Sequence, residues 1–169
     1  MTIVQLETDR LILRYISMQD ASFMLELINT PGFIEFVGDK NIRDLEGAKN
    51  WIETGPLKQL SELGFTVLVV FLKASKKPIG VVSLVKRKEL NSMDIGYAFL
   101  PEYSGKGYAY EATLTGLEFA KNQLHYETIY AIVQGNNDSS IKLLNKINFI
   151  SEGKVEIDGE VLLKFRNRS

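Results

Sequence analysis

The stretch Leu100-Pro101-Glu102-Tyr103-Ser104-Gly105-Lys106-Gly107-Tyr108-Ala109 constrains this chain more than any other. It joins a run of strand character, Asp94 to Leu100, to a run of helical character, Tyr108 to Leu124. A strand, a glycine turn and a helix in that order expose several backbone N–H groups without side-chain obstruction. They point at one spot, where the helix dipole also favours negative charge. That arrangement suits a phosphate or pyrophosphate, although a Gly-x-Gly also serves as plain turn chemistry. A Walker loop would need Gly-Lys-Ser/Thr, and this chain has Gly105-Lys106-Gly107. A dinucleotide fingerprint would need a third glycine at position 110, which is Tyr110, inside an early βαβ unit. Both of those readings fail.

The rest of the chain narrows the class. Its 169 residues are enough for one domain with a sizeable core, expected to run over residues 1–169. Hydrophobic residues make up 45% and charged residues 24%, and the formal net charge is -1, so no polyanion such as nucleic acid is expected as the main partner. Zero cysteines exclude disulfides, thiolate metal sites and a cysteine nucleophile; a single histidine, His125, excludes a histidine-rich metal site, so no metal is expected. Met1-Thr2-Ile3-Val4-Gln5-Leu6-Glu7 lacks a basic region followed by an apolar run, so no signal peptide is expected. No uncharged apolar run reaches ~18 residues, so no membrane span is expected. The composition reads as that of a cytoplasmic protein, a monomer or homodimer.

Strand character recurs in Leu11 to Tyr15, Phe65 to Leu72, Ile79 to Val85, Asp94 to Leu100 and Thr128 to Val133. Val155 to Ile157 and Val161 to Leu163 flank Asp158-Gly159, a two-residue hairpin signal. Helices are expected over Ala21 to Ile28, Leu45 to Leu60 (capped by Asp44), Tyr108 to Leu124 and Ser139 to Ile147. The small residues Ala112, Gly116 and Ala120 would let the third helix lie close against a sheet. The order β-α-α-β-β-β-α-β-α-β-β predicts an α/β (α+β) fold, a mixed sheet covered by helices.

Ser104-Gly105-Lys106-Gly107-Tyr108-Ala109 resembles the pyrophosphate loop Arg/Gln-x-x-Gly-x-Gly/Ala of the GNAT (Gcn5-related N-acetyltransferase) superfamily. Ile95 to Tyr103 resembles the strand leading into that loop, Asn137-Asp138-Ser139-Ser140 the family's Asn-x-x-Ser, and Lys146-Ile147-Asn148-Phe149 its Lys-x-Gly-Phe. Thr8-Asp9-Arg10-Leu11-Ile12-Leu13-Arg14 resembles the opening of the branch containing ribosomal-protein alanine/serine N-acetyltransferases. The resemblance implies a mostly antiparallel sheet of about seven strands with about four helices, its fourth and fifth strands splayed. It implies acetyl-CoA as cosubstrate and an amine acceptor, a peptide N-terminus or a small amine. The loop Ser104, Gly105, Lys106, Gly107, Tyr108 and Ala109 would hold the pyrophosphate. Backbone near Phe99 and Leu100 would pair with the pantetheine arm, and Asn137 and Ser140 would meet it from the other side. The alternative from another class is a non-catalytic acyl-CoA sensor or scaffold.

Departures from the pattern locate the open chemistry. Ser104 stands where Arg or Gln is usual, and Asn148 replaces glycine at a helix end where a left-handed residue is needed. Leu144 occupies the position of the tyrosine that many members use as general acid toward the thiolate. Ser140 is then the nearest hydroxyl for the sulfur, or else a helix N-terminal hydroxyl that satisfies backbone donors. Asp94 and Glu102 are the nearest carboxylates for a general base, or else solvated surface groups. Backbone N–H groups of the fourth strand would stabilise the oxyanion. Phe33, Phe36 and Trp51 fall where the family places its acceptor, and aromatics there also serve as core.

Overall fold

The computed structural model describes residues 3–168; Met1 and Thr2, the first two positions of the stretch read as leaderless, and Ser169 lie outside the described residues. The elements run β1 Gln5–Glu7, β2 Leu11–Tyr15, α1 Ala21–Ile28, α2 Pro31–Phe36, α3 Leu45–Thr54, α4 Pro56–Leu63, β3 Leu68–Leu72, β4 Pro78–Lys86 and β5 Met93–Phe99. They continue as α5 Tyr108–Asn122, β6 Ile129–Val133, α6 Asp138–Lys146, β7 Phe149–Ile157 and β8 Glu160–Asn167. The strands form one open sheet in the order β1-β2-β3-β4-β5-β6-β8-β7. Every neighbouring pair is antiparallel except β5 and β6.

Period-two alternation builds a core on each face of the sheet. In β3, Leu68 and Val70 face a cluster with Ala112, Leu117 and Ala120 of α5 and Leu144 of α6. Val69 between them faces a second cluster with Met24 and Leu27 of α1 and Ala48 and Ile52 of α3. Gly116 makes the close approach of α5 possible, because a Cβ there would lie 2.8 Å from a Val82 methyl. At the hairpin, Asp158 and Gly159 both take positive φ, 51° and 79°, the backbone of a type I′ turn.

Three differences from the sequence reading have physical causes. The single helix expected over Leu45 to Leu60 is two, because Pro56 has no N–H to continue the first and restricts Gly55 before it. A sixth helix, α2, was missed, although Pro31 at its first position behind Thr30 is a start signal. The sheet has eight strands rather than about seven, since β1 is three residues long and too short for any periodicity. The family's fourth and fifth strands are therefore β5 and β6.

Those two strands are splayed. They pair only at Met93–Ile129 and Asp94–Tyr130. Beyond that point β5 stays with β4 as far as Phe99, and β6 stays with β8 as far as Val133. The gap opens inside the sheet.

Candidate active site

Two helices aim their N-termini at this gap, α5 from the end of β5 and α6 from the end of β6. The loop before α5 depends on left-handed backbone at both glycines, φ 75° at Gly105 and 82° at Gly107, which a side chain would strain. Arg10, just ahead of β2, braces it from behind. Its Nη1 donates to the Lys106 carbonyl at 2.9 Å, its Nε to Glu111 Oε1 at 2.8 Å, and its guanidinium lies 4.4 Å over the Tyr108 ring. Thr8 donates its hydroxyl to the other Glu111 oxygen. Burial alone would raise the Glu111 pKa, but the Thr8 and Arg10 hydrogen bonds outweigh it and hold the carboxyl below its ordinary value. Ser104 and Lys106 are exposed, with Lys106 Nζ donating to the Glu102 carbonyl at 3.3 Å, and Tyr108 and Ala109 begin α5 half-buried.

The backbone facing the gap is narrower than expected. The Leu100 N–H donates to the Ile79 carbonyl at 2.9 Å and its carbonyl accepts from Tyr103 N–H, so the Leu100 N–H is committed to β4. Antiparallel alternation then turns the backbone groups of Phe99 and Tyr97 toward β6, where the ladder has ended. Across the gap, Asn137 caps α6 by accepting from Ser140 N–H at 3.3 Å. Ser140 is therefore not the capping side chain. Its hydroxyl is buried and lies 2.8 Å from the hydroxyl of Tyr97, joining α6 to β5 across the splay. Burial pushes Tyr97 above the ordinary tyrosine value, with the Ser140 hydrogen bond pulling the other way.

Asp94 is not the solvated group that one reading of the sequence allowed. It is 3% exposed, on the last rung of the β5–β6 ladder, with Arg87 Nε 2.7 Å away. Desolvation raises its pKa to about 6 in spite of the hydrogen bond and charge of Arg87. Tyr97 lies three positions further along, an odd spacing, so the two side chains leave opposite faces of β5. Glu102 does face solvent, on a 3-10 turn, Pro101–Tyr103, at the far end of β5, and among the described residues its carboxylate has no hydrogen-bond partner. Phe33 and Trp51 pack against the α1–α3 core, while Phe36 is half-buried. His125 is exposed just past α5 and itself adopts a left-handed φ of 62°.

A glycine cradle at one helix start, a second helix start opposite and an unpaired strand edge between them match a known arrangement. The family profile of the acetyltransferase (GNAT) domain matches residues 10–150. The chain belongs to the GNAT acetyltransferase family. Among curated relatives, an uncharacterized N-acetyltransferase of Bacillus subtilis (YoaA) is 29% identical over 149 residues, covering 88% of this chain and 84% of its own. Among solved structures, an acetyltransferase from Agrobacterium tumefaciens superposes with a TM-score of 0.84 at 22% identity, covering 100% of this chain and 96% of that one. A ribosomal L7/L12 alpha-N-protein acetyltransferase solved with coenzyme A superposes at 0.83 with 14% identity, covering 98% and 97%.

Within the GNAT frame, Leu144 is buried in the core beneath α6 and supplies no hydroxyl, as its side chain dictates. Sequence reasoning missed Tyr97 and Arg10 as parts of the site. The alternation of β5 did place Tyr97 on the face of Phe99, but nothing local announces a partner 43 residues away. Asp94 generates a test that needs no substrate. Its folded pKa of about 6 lies above the unfolded value of 3.8, so the protonated form favours the fold and ionisation opposes it. The cost is absent below pH ~4, grows between about 4 and 6, and is complete above. The melting temperature of Asp94→Asn relative to wild type is expected to climb across that window and level off. A difference that stays flat or falls with rising pH contradicts the buried-charge assignment.

Proposed function

We propose that the chain, as one domain over residues 1–169, transfers acetyl from acetyl-CoA directly to a primary amine. The observation that carries this reading is the sorting of groups around the splay. An anion cradle and free strand edge fit the coenzyme, with Asp94 on one face of the sheet and the Tyr97–Ser140 hydroxyls on the other. The neutral amine attacks the thioester carbonyl, a C–N bond forms and the C–S bond breaks. Asp94 accepts the proton the nitrogen loses, directly or through a water, and the sulfur leaves as thiolate. Backbone N–H groups of Phe99 or Tyr97 face the developing oxyanion. No covalent enzyme intermediate is required, so alignment of two bound substrates supplies much of the rate.

The acceptor is argued from two features. Thr8 to Arg14 resembles the opening of the alanine/serine N-terminal acetyltransferases, and a neighbour of similar fold is described as acting on a protein α-amine. Helix α2 borders the gap, since Gln134 just past β6 donates to the Glu35 carbonyl at 3.1 Å, and Ile34 on the helix and Val37 just after it are exposed. A short extended peptide would need a groove open at one end, which the family resemblance puts between residues 33–38 and the Asp158-Gly159 hairpin.

Three measurements test the reading. Thiol release is expected with acetyl-CoA and an amine, fastest among short peptides beginning with Ala or Ser; faster turnover of polyamines or aminoglycosides removes the peptide assignment and keeps the transfer. Gly107→Glu places a Cβ 3.3 Å from Arg10 Nη2 and a carboxylate at the cradle, on a backbone that disfavours side chains. Calorimetry is expected to show coenzyme A affinity reduced by at least about tenfold, with the circular dichroism of the fold retained. Unchanged affinity in the folded variant moves the site elsewhere. Finally, kcat/KM, once corrected for the unprotonated fraction of the acceptor amine, should fall about tenfold per unit as pH drops below about 6, as Asp94 gains the proton it must lack to act as base. Asp94→Asn should lower kcat by ~10²–10⁴ and abolish that acidic limb. A limb that persists in the variant assigns the base to another group.

A further inference from the structure

The two hydroxyls at the splay leave one proton unassigned. Tyr97 and Ser140 each carry one O–H, and the 2.8 Å contact between them uses one of the two, whichever is the donor. The other O–H has no acceptor among the described residues. Ser140 N–H donates to the Asn137 oxygen, and among the described residues neither hydroxyl of the pair makes a hydrogen bond to that oxygen. An O–H held in a largely buried place without a partner is unfavourable, and such groups in folded proteins are explained by a ligand or a water.

We infer that Tyr97 is a positioning residue for the leaving group, its phenol holding the Ser140 hydroxyl so that the pair presents one O–H to the departing sulfur. The inference rests on the transfer reading above. Relative acidities decide between donating a hydrogen bond and donating a proton. A thiol has a pKa near ~8.5 and a free phenol near ~10, and burial raises Tyr97 further. Proton transfer from Tyr97 to the thiolate therefore runs uphill by more than an order of magnitude, and from a serine alcohol by far more. The pair keeps both protons. It stabilises the negative sulfur by a hydrogen bond as the C–S bond breaks, and the thiolate takes its proton from solvent on release. Leu144, where an acid is absent, is tolerated for the same reason.

The arrangement also explains why Tyr97 belongs to β5. A serine hydroxyl rotates freely about its own bond, and the phenol, fixed by its ring against Phe99 with centroids 6.3 Å apart, removes that freedom. Because Tyr97 projects from the face opposite Asp94, the donor for the sulfur and the acceptor for the amine proton stay on opposite sides of the reacting carbonyl.

The test uses Tyr97→Phe, Ser140→Ala and the double variant, each checked for its melting temperature and assayed at saturating acetyl-CoA. Tyr97→Phe keeps the ring and is expected to lower kcat about tenfold, below the ~10²–10⁴ of a group that itself moves a proton. The KM for acetyl-CoA stays within about twofold and the acidic pH limb stays in place, because neither depends on the orienting bond. The double variant is no slower than Ser140→Ala, since both changes remove the same donor. A 3-fluorotyrosine at position 97, which keeps the hydroxyl, restores kcat to near wild type even if Tyr97→Phe is less stable. A wild-type kcat in folded Tyr97→Phe overturns the inference, and so do losses that multiply in the double variant. Wild-type protein that releases no thiol with any amine overturns the transfer reading and this inference together.

Discussion

The two rungs Met93–Ile129 and Asp94–Tyr130 are the contact on which the site depends. They join a half-sheet in which β5 makes seven paired positions with β4 to another in which β6 makes four with β8. Each half is held by antiparallel ladders, so neither strand can follow the other past the second rung without giving up pairs already made. Divergence leaves backbone groups of β5 unpaired inside the molecule, where an unpaired group is costly unless something else bonds it. An extended ligand with its own amides satisfies that need. The same divergence carries the starts of α5 and α6 to the two rims of the gap, so one local geometry produces the strand edge, the anion cradle and the capped serine together.

Alternation along β5 then assigns the chemistry. An odd spacing of three puts Asp94 and Tyr97 on opposite faces, and the two core clusters follow the same division, with Ala98 beside the α1–α3 helices and Tyr97 beside α5 and α6. On the proposed transfer, proton removal from the incoming amine and stabilisation of the outgoing sulfur would thereby be kept apart by the sheet itself. Asp94 also shows what the site demands of the fold. A carboxylate 3% exposed opposes folding once ionised, and Arg87 offsets only part of that. Residues arranged this way, with burial and one charge partner pulling against each other, cluster at functional sites and also occur in structural ion pairs.

The sequence disclosed the parts whose physics is local. Gly105 and Gly107 announced a turn with unobstructed backbone amides, Asp158-Gly159 a tight hairpin, and the small residues Ala112 and Gly116 a helix lying close on a sheet; all follow from single residues or short periods. Asn148 likewise takes the left-handed φ, 67°, that its place at a helix end required. What stayed hidden is long-range. The break before Pro56 was legible in principle, since proline alone dictates it. The burial of Asp94 was not, because strand alternation gives the face and leaves open what covers it. The Tyr97–Ser140 bond and the Arg10–Glu111 pair span 43 and 101 residues, and no spacing rule reaches that far.

Arg10 recasts the departure at Ser104. A missing Arg or Gln there suggests weaker hold on phosphate, and a guanidinium beside the loop looks at first like its replacement. The bonds show a more limited exchange, with Nη2 alone left beside Gly107. Two of the three guanidinium nitrogens are spent on Glu111 and the Lys106 carbonyl, and Glu111 balances the charge. What Arg10 gives the loop is shape: it fixes the Lys106 carbonyl between the two left-handed glycines. Amides already aligned bind an anion without the entropy of ordering a flexible loop, the same advantage that rigid ligands and loops have in any complex. The opening segment Thr8 to Arg14 is then more than a mark of one branch of the family. Thr8 and Arg10 couple the residues ahead of β2 to the loop about a hundred residues later, and the shape of that loop rests on the first strands of the sheet as much as on its glycines.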